Sequence, residues 1–289
     1  MIDVSNLKDI LKTLGFIAYG DIYEKVFCEI GCSLKVDFHA KKLIYPNEIK
    51  GRERNNGFDK KENFVVFECV CRLLSKGYRP EHIELEKEWH LGHDAKSGRA
   101  DICVTDTSGD MLFIIECKTW GREYDKALNN TKSDGAQLFS YWQQEQSCKW
   151  LVLYTSDLRS GCIAYKAPTI DCSDDANIVL LSKKDKSIKL YRDAHTTSAK
   201  YEAWKETYGS QIHDDLIFSE DSVAYQIGVK PLRKKDLRDF TPDDKIVNKF
   251  EEILRHNNVS DKENAFNRLV ALFICKLVDE STKNEDDDG

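Results

Sequence analysis

The sequence has no apolar segment long enough to cross a membrane. None of its hydrophobic runs approaches the ~20 residues of a spanning helix. The opening residues, MIDVSNLKDILKTLG, lack both the basic region and the apolar region of a signal peptide. With 289 residues, 41% of them hydrophobic, the chain is long enough for one large domain or for a large and a small one. We therefore expect a globular protein located in the cytoplasm.

Several short motifs are also missing. There is no G-x-x-x-x-G-K-[ST] sequence, so we expect no ATP-driven motor within this chain, and there is no glycine signature of a nucleotide-binding fold. The ten cysteines lack the paired C-x2-C spacing of structural zinc sites and lie mostly in apolar runs, which favours reduced thiols in the core. The net charge of -7 disfavours a uniformly basic nucleic-acid binder but leaves room for a local basic groove.

What the sequence does contain is a stretch of two apolar runs that carry charged residues, GRADICVTDTSGDMLFIIECK, at residues 98–118. The turn residues between the runs suit a β-hairpin. Alternate side chains of a strand share a face, so Glu116 and Lys118 project to the same side, and Asp101 on the paired strand can lie beside them. Two carboxylates and an ammonium can hold a divalent metal and activate water. The alternative is a cluster of exposed charges or an ion pair at the end of a strand.

The order of the remaining patterns predicts an α/β fold with a sheet covered by helices. The segment around residue 235 marks a change in character, after which capping sequences at Thr241 and Ser260 predict two amphipathic helices. The acidic tail, 281–289, is typical of disorder. The predicted elements before residue 235 are a helix after Ser5, a helix over 21–31, a strand over 34–44, a polar loop over 46–61, a helix over 63–76, a strand over 83–90, the hairpin, two helices between 121 and 145 separated near 129–130, strands over 150–156, 162–166 and 178–182, and a helix over 199–208.

Three motifs in this order resemble the PD-(D/E)XK nuclease superfamily: Asp101, the E-C-K sequence at 116–118, and the Q-L-F-S-Y sequence at 137–141. More narrowly, the chain is similar to the N-terminal nuclease domain of type I restriction endonuclease subunits and of single-chain restriction-modification enzymes, in the Q-x-x-x-Y subgroup. Ala100 stands where the superfamily motif has proline. The resemblance implies a restriction-endonuclease-like mixed central sheet flanked by helices. It predicts a nuclease-like domain at 1–235, with its core at about 62–156, and a C-terminal helical extension at 236–289.

The resemblance also implies roles for individual residues. Asp101, Glu116 and the backbone carbonyl of Cys117 are expected to bind Mg²⁺, for which Mn²⁺ can substitute. Lys118 is expected to orient the attacking water or to help deprotonate it, and to offset the charge that forms at phosphorus.

The resemblance places Gln137 and Tyr141 beside the metal site, in contact with the DNA backbone or the catalytic lysine. The alternative for this pair is simple packing of a helix on the sheet.

The identity of a third acidic residue stays open at this stage. Glu68 resembles the acidic residue that some family members carry on the first core helix, and it is the preferred candidate over Glu86 and Glu88 on the next strand. The alternative for Glu68 is a partly exposed helix acid. Basic residues near the motifs could neutralise phosphates, although for each one singly an ordinary surface charge is the favoured interpretation: Arg52, Arg54, Lys96, Arg99, Arg122, Lys126 and Lys132.

Residues 265–280 are similar to the helical segment that precedes the catalytic domain in N6-adenine methyltransferases of restriction systems. This implies that the natural protein continues past Gly289 into a methyltransferase, with a specificity region in the same chain or as a subunit. Two functions remain open. One is a Mg²⁺-dependent endonuclease that hydrolyses phosphodiester bonds of double-stranded DNA. The other is a catalytically silent module of the same fold that binds DNA or docks a methyltransferase or specificity partner.

Overall fold

The computed structural model describes residues 2–89 and 98–219, together with the helical positions 270, 271, 274–276, 278 and 281. By its internal contacts the chain divides into two units, Met1–Gly228 and Val229–Gly289. The predicted domain boundary at 235/236 and the predicted helix starts at Thr241 and Ser260 lie outside the described residues. Within those residues, no helix combines the length and the apolar character needed to cross a membrane.

The N-terminal part of the first unit is a small antiparallel sheet in which consecutive strands are neighbours. Leu34 and Val36 are buried on one face of it, as their alternation predicts. The prediction of a helix over 21–31 is wrong, because this segment forms β2. Its apolar residues recur at helical spacing, but pairing with strands on both sides satisfies its backbone instead. The elements here are α1 (Leu7–Thr13), β1 (Ile17–Tyr19), β2 (Ile22–Phe27), β3 (Cys32–Asp37) and β4 (Lys42–Ile44).

The central sheet has the order β10-β8-β7-β6-β5, with β9 paired to the second half of β8. It is mixed, because β6 is antiparallel to both β5 and β7, whereas β7 and β8 are parallel. Every residue of β7 is buried, as expected for a strand covered on both faces. The strands are β5 (Ile83–Glu88), β6 (Arg99–Thr105), β7 (Met111–Cys117), β8 (Trp150–Arg159), β9 (Cys162–Lys166) and β10 (Thr169–Asp171).

The helices of the first unit differ from the predictions at two places. The break between the helices after residue 121 falls at Gly135, which has φ 77°, and not near residues 129–130. The segment predicted as a strand over 178–182 is a helix, because the Asp175 side chain accepts hydrogen bonds from Asn177 N–H and Ile178 N–H and caps it. The helices are α2 (Lys61–Lys76), α3 (Arg122–Asp134), α4 (Ala136–Gln144), α5 (Ala176–Ser182) and α6 (Thr197–Glu206).

Two hydrophobic clusters cover the two faces of the central sheet. Alternation along β7 divides its side chains: Ile115 and Cys117 join the cluster formed with α2 and the small sheet, whereas Ile114 joins the cluster formed with α4 and α6. The side chain of Glu116 therefore belongs to the α4 face. The predicted mixed central sheet flanked by helices is confirmed.

Candidate active site

The predicted hairpin is present and brings Asp101 beside the end of β7. Strands β6 and β7 pair in a register that places Ile102 opposite Ile115. Continuing this register by one residue towards the end of β7 places Asp101 opposite Glu116. The Asp101 carboxylate accepts a hydrogen bond from Cys117 N–H at 2.7 Å. This bond fixes the carboxylate of one strand to the backbone of the other at the point where the motif begins.

Lys118 is held between two carboxylates. Its Nζ lies 2.6 Å from Glu116 Oε1 and 3.0 Å from Glu62 Oε1. Its backbone N–H donates to the carbonyl of Tyr154 at 2.8 Å, which continues the parallel pairing of β7 with β8 by one residue. The backbone of the E-C-K sequence is thus part of the sheet, and the side chains of Glu116 and Lys118 reach the opening.

The directions of the pKa shifts of Asp101, Glu116 and Lys118 indicate that the site holds more carboxylates than one ammonium can neutralise. Burial, and then the neighbouring charge of Glu116, raise the pKa of Asp101 well above its ordinary value, with Lys118 opposing the change. Burial also raises the pKa of Glu116, although the ammonium of Lys118 and hydrogen bonds to Lys118 and Tyr141 oppose it. Burial disfavours the charged form of Lys118, but Glu116 and Asp101 outweigh it and raise the pKa of the ammonium. A cation beside the two carboxylates would relieve this imbalance.

The donor set fits Mg²⁺ rather than a metal that needs a complete protein cage. Among the described residues, no group of three or more His, Cys, Asp and Glu side chains is placed to hold a metal ion. Asp101 and Glu116 offer two carboxylates, and Mg²⁺ is commonly bound through one or two carboxylates with waters completing its shell.

The Q-x-x-x-Y pair on α4 contacts Glu116. The Tyr141 hydroxyl lies 3.1 Å from Glu116 Oε2 and 2.5 Å from the carbonyl of Arg99, and it accepts a hydrogen bond from Gln137 Nε2. Tyr141 is fully buried, whereas Gln137 is exposed at the opening. The structure thus places Tyr141 against Glu116, and Gln137 against Tyr141. Contact of this pair with the DNA backbone or with Lys118 stays a prediction.

Glu68, the preferred third acid, lies elsewhere. It is 1% exposed, and its carboxylate is paired with Arg72 at 2.6 Å and accepts a hydrogen bond from the Tyr154 hydroxyl at 2.5 Å. The structure brings Glu62 to Lys118 instead, from the first turn of α2. Six residues of helix rotate the side chain by one and two-thirds turns and move it about 9 Å along the axis. Sequence reasoning missed Glu62, although one local signal distinguishes the two acids: Glu68 has Arg72 four residues further along the helix as an ion-pair partner, and Glu62 has no basic residue at that spacing.

The other acidic candidates pair with arginines at the rim. Glu86 is buried and pairs with Arg99 at 2.5 Å, and its φ of 54° is unusual for a non-glycine residue inside a strand. Glu88 pairs with Arg54 at 3.0 Å. These contacts engage two of the arginines that were candidates for phosphate binding. Lys96 lies outside the described residues.

Two cavities open from Asp101, Glu116 and Lys118, which we call the catalytic group of the candidate site. One, of about 190 Å³, extends along α3 and includes Lys126 and Leu153 in its lining, and the other, of about 450 Å³, extends towards Arg99 on the β5–β6 side. Both are lined by Glu116, Lys118 and Gln137. The charged side chains are therefore accessible from two directions.

A mixed sheet with helices on both faces is consistent with a restriction-endonuclease-like α/β fold. Residues 62–174 match the family model described as the type I restriction enzyme R protein N terminus. The match confirms, for this segment, the resemblance to the nuclease domain of type I restriction subunits. The segment is less than half of the chain, yet it contains every predicted site residue as well as Glu62. No curated protein matches the chain.

Proposed function

We propose that the chain is a Mg²⁺-dependent DNA endonuclease domain of a restriction-modification protein, which hydrolyses phosphodiester bonds with a metal-activated water. The observation that carries the proposal is the convergence of Asp101, Glu116 and Lys118 where the β6–β7 hairpin opens onto two cavities. The family match supports the coarser assignment to a restriction-modification nuclease domain.

The proposed chemistry divides between the two carboxylates and the lysine. Asp101 and Glu116 would hold the Mg²⁺, which supplies a bound water of lowered pKa and stabilises charge on the phosphate. In the metal-free protein, Glu116 and then Asp101 outweigh the effect of burial and raise the pKa of Lys118, which favours its protonated form. In that form Lys118 would orient the water and offset charge at phosphorus by donating hydrogen bonds. The other role predicted for Lys118 is to help deprotonate the water.

Two further residues position this group. Tyr141 fixes one oxygen of Glu116 and leaves the other for Lys118 or the metal. Glu62 also contacts Lys118, so the ammonium would keep a carboxylate partner if Glu116 held the metal. The proposed partners are double-stranded DNA and the methyltransferase and specificity components of a restriction-modification system.

The proposal is tested by cleavage of supercoiled plasmid with Mg²⁺ or Mn²⁺. Asp101→Ala and Lys118→Ala are expected to nick at least about 100-fold more slowly than the unchanged protein, the scale of losing one charge-stabilising group. The matched controls are Asp9→Ala and Lys12→Ala, an exposed acid and lysine pair on α1, which should nick normally. Equal nicking by all five proteins would refute the proposal.

The silent-module alternative is separated by metal binding. A nuclease of the proposed kind should melt at a higher temperature in millimolar Mg²⁺, because a ligand that binds only the folded state stabilises it. Asp101→Ala should lose that increase, whereas Asp9→Ala should keep it. No increase in the unchanged protein, together with no nicking, would favour a module that only binds or docks.

A further inference from the structure

A tryptophan two residues beyond Lys118 lies under two cations. The guanidinium carbon of Arg159 is 4.9 Å from the centre of the Trp120 ring, and Lys166 Nζ is 5.0 Å from the same centre. Lys166 also lies 5.3 Å from the centre of the Tyr124 ring. We call Trp120, Arg159 and Lys166 the cation cluster.

The sheet register places the cation cluster on the same face as the catalytic group. Parallel pairing puts Glu116 beside Leu153, and the bond from Lys118 N–H to Tyr154 extends this pairing. Position 155 therefore shares a face with Lys118. Arg159 lies four residues further along β8, and Lys166 is paired with Thr155 across the β8–β9 hairpin. By the alternation of strands, both cations project from that face.

The charges of the cluster are only partly compensated. The Arg159 side chain is 56% exposed and lies 3.3 Å from the buried carboxylate of Asp157. Lys166 is exposed and has no carboxylate within 4 Å in the part of the chain that the structure describes. The indole ring attracts both cations but does not neutralise their positive charge. Two cations that converge on one ring therefore leave a place where an anion binds favourably.

The position relative to Lys118 indicates which anion this is. Consecutive Cα atoms are about 3.8 Å apart, so Trp120 lies within about 8 Å of Lys118 in the backbone. Phosphates follow one another at about 3.4 Å of rise along a DNA strand. The cluster is therefore within a few nucleotides of any phosphate held at the catalytic group. The neighbouring cavity of about 760 Å³ includes Lys166 but also Asp125 and Asp214 in its lining, so the anion-binding surface is the cluster and not that cavity.

We propose that Trp120, Arg159 and Lys166 form a phosphate-binding site for the DNA strand that enters the catalytic group, at a phosphate flanking the one that is cleaved. The identity of the strand rests on the proposed nuclease function. The site itself is a property of the two cations and the ring that positions them.

The test is the salt dependence of DNA binding without divalent metal, so that no cleavage occurs. Binding of the 289-residue protein to a fluorescein-labelled DNA duplex is measured by anisotropy between 50 and 200 mM salt, a range set by the usual response of phosphate contacts. The double variant Arg159→Ala/Lys166→Ala should show a slope of log K against log salt that is shallower by about 1.8, and about tenfold weaker binding at the low-salt end. Lys183→Ala/Lys184→Ala removes the same charge from exposed positions and should keep the slope.

Trp120→Ala and Trp120→Phe separate the ring from the charges. The alanine variant should lose part of the slope because the cations lose their common support, and the phenylalanine variant should keep most of it. The proposal would be overturned if the double variant and its control had equal slopes and affinities for DNA. It would also be overturned if the double variant kept its affinity for DNA and lost affinity only for an acidic peptide, used as a second probe. A changed slope in a protein that does not cleave would refute the catalytic proposal alone.

Discussion

Asp101 is partly exposed and lies beside two further carboxylates, Glu116 and Glu62, and the single ammonium of Lys118 serves all three. Because its pKa is raised in the folded protein, Asp101 retains a proton that the unfolded chain releases. The free energy of unfolding contributed by this group therefore falls as the pH rises from its ordinary pKa of 3.8 towards the raised value. At neutral pH the metal-free site carries a cost in stability.

Asp101→Asn should remove that cost. The amide oxygen can still accept the hydrogen bond from Cys117 N–H, but it carries no charge. We expect the metal-free variant to gain stability relative to the unchanged protein at pH 7.5 and to gain much less at pH 4.5. Each tenfold change in the acid dissociation constant corresponds to about 1.4 kcal/mol. Urea denaturation of both proteins at both pH values measures the difference. A gain independent of pH would contradict this account.

Glu62 and Glu68 lie on one helix, but we expect replacement of Glu62 to lower activity and replacement of Glu68 to lower stability. Glu62→Gln should lower the nicking rate by about tenfold or more, because Lys118 loses a carboxylate that holds its ammonium. It should change the free energy of unfolding little, since its side chain is 38% exposed. Nicking assays and urea denaturation on the same preparations separate the two effects. A normal rate for Glu62→Gln would remove it from the site.

At the scale of elements, α2 is joined to β8 through the Tyr154 hydroxyl, which binds both members of an ion pair on α2. Glu68 binds Arg72 and the Tyr154 hydroxyl, and Arg72 also donates to that hydroxyl at 3.0 Å and stacks on the Tyr165 ring at 4.0 Å. Tyr154 is the residue whose carbonyl receives the N–H of Lys118. The ion pair therefore holds β8, the strand that pairs with Lys118, from the face of the sheet opposite to Glu116.

Breaking this pair should destabilise the fold strongly. Glu68→Ala leaves Arg72, whose side chain is 22% exposed, without its carboxylate, and loss of one partner of a buried pair costs about 3–5 kcal/mol. Asp9→Ala breaks an exposed pair on α1 and should cost less than about 0.5 kcal/mol. Thermal or urea unfolding compares the two. A Glu68→Ala protein as stable as the control would show that the pair contributes nothing.

At the scale of the whole molecule, the segment that matches the restriction family contains only part of the hydrophobic core that covers its sheet. Residues from α1 and from the small sheet, such as Leu11, Val36 and Leu43, belong to the same buried cluster as α2 and β7. On the other face, Trp204 of α6 completes the cluster around α4. Both neighbours lie outside residues 62–174.

A fragment of residues 62–174 should therefore fail to fold, whereas a fragment of residues 2–219 should fold cooperatively. Removing the two flanking segments exposes apolar surface on both faces of the central sheet, at roughly 25 cal/mol for each Å². Circular dichroism and the cooperativity of urea unfolding distinguish the fragments. A cooperative transition in the shorter fragment would contradict the shared core.

The local part of the candidate site was predictable from the sequence. Asp101, Glu116 and Lys118 lie within one hairpin, and the alternation of strand side chains is enough to bring them together. The helical spacing of Gln137 and Tyr141 similarly predicts a shared face. Wrong assignments arose where a pattern suits two structures, as in β2, whose apolar residues also fit a helix, and in α5, whose short apolar run also fits a strand.

The sequence by itself thus determined the α/β class and the hairpin with its two carboxylates and lysine, because both follow from periodicities and turns of a few residues. Only the tertiary structure decided that Glu62, and not Glu68, reaches Lys118, and that Trp120 lies under Arg159 and Lys166. These contacts depend on where α2 begins relative to the end of β7 and on how the β8–β9 hairpin lies against the loop after Lys118. Such placements are set by packing between elements distant in the chain, which no local pattern records.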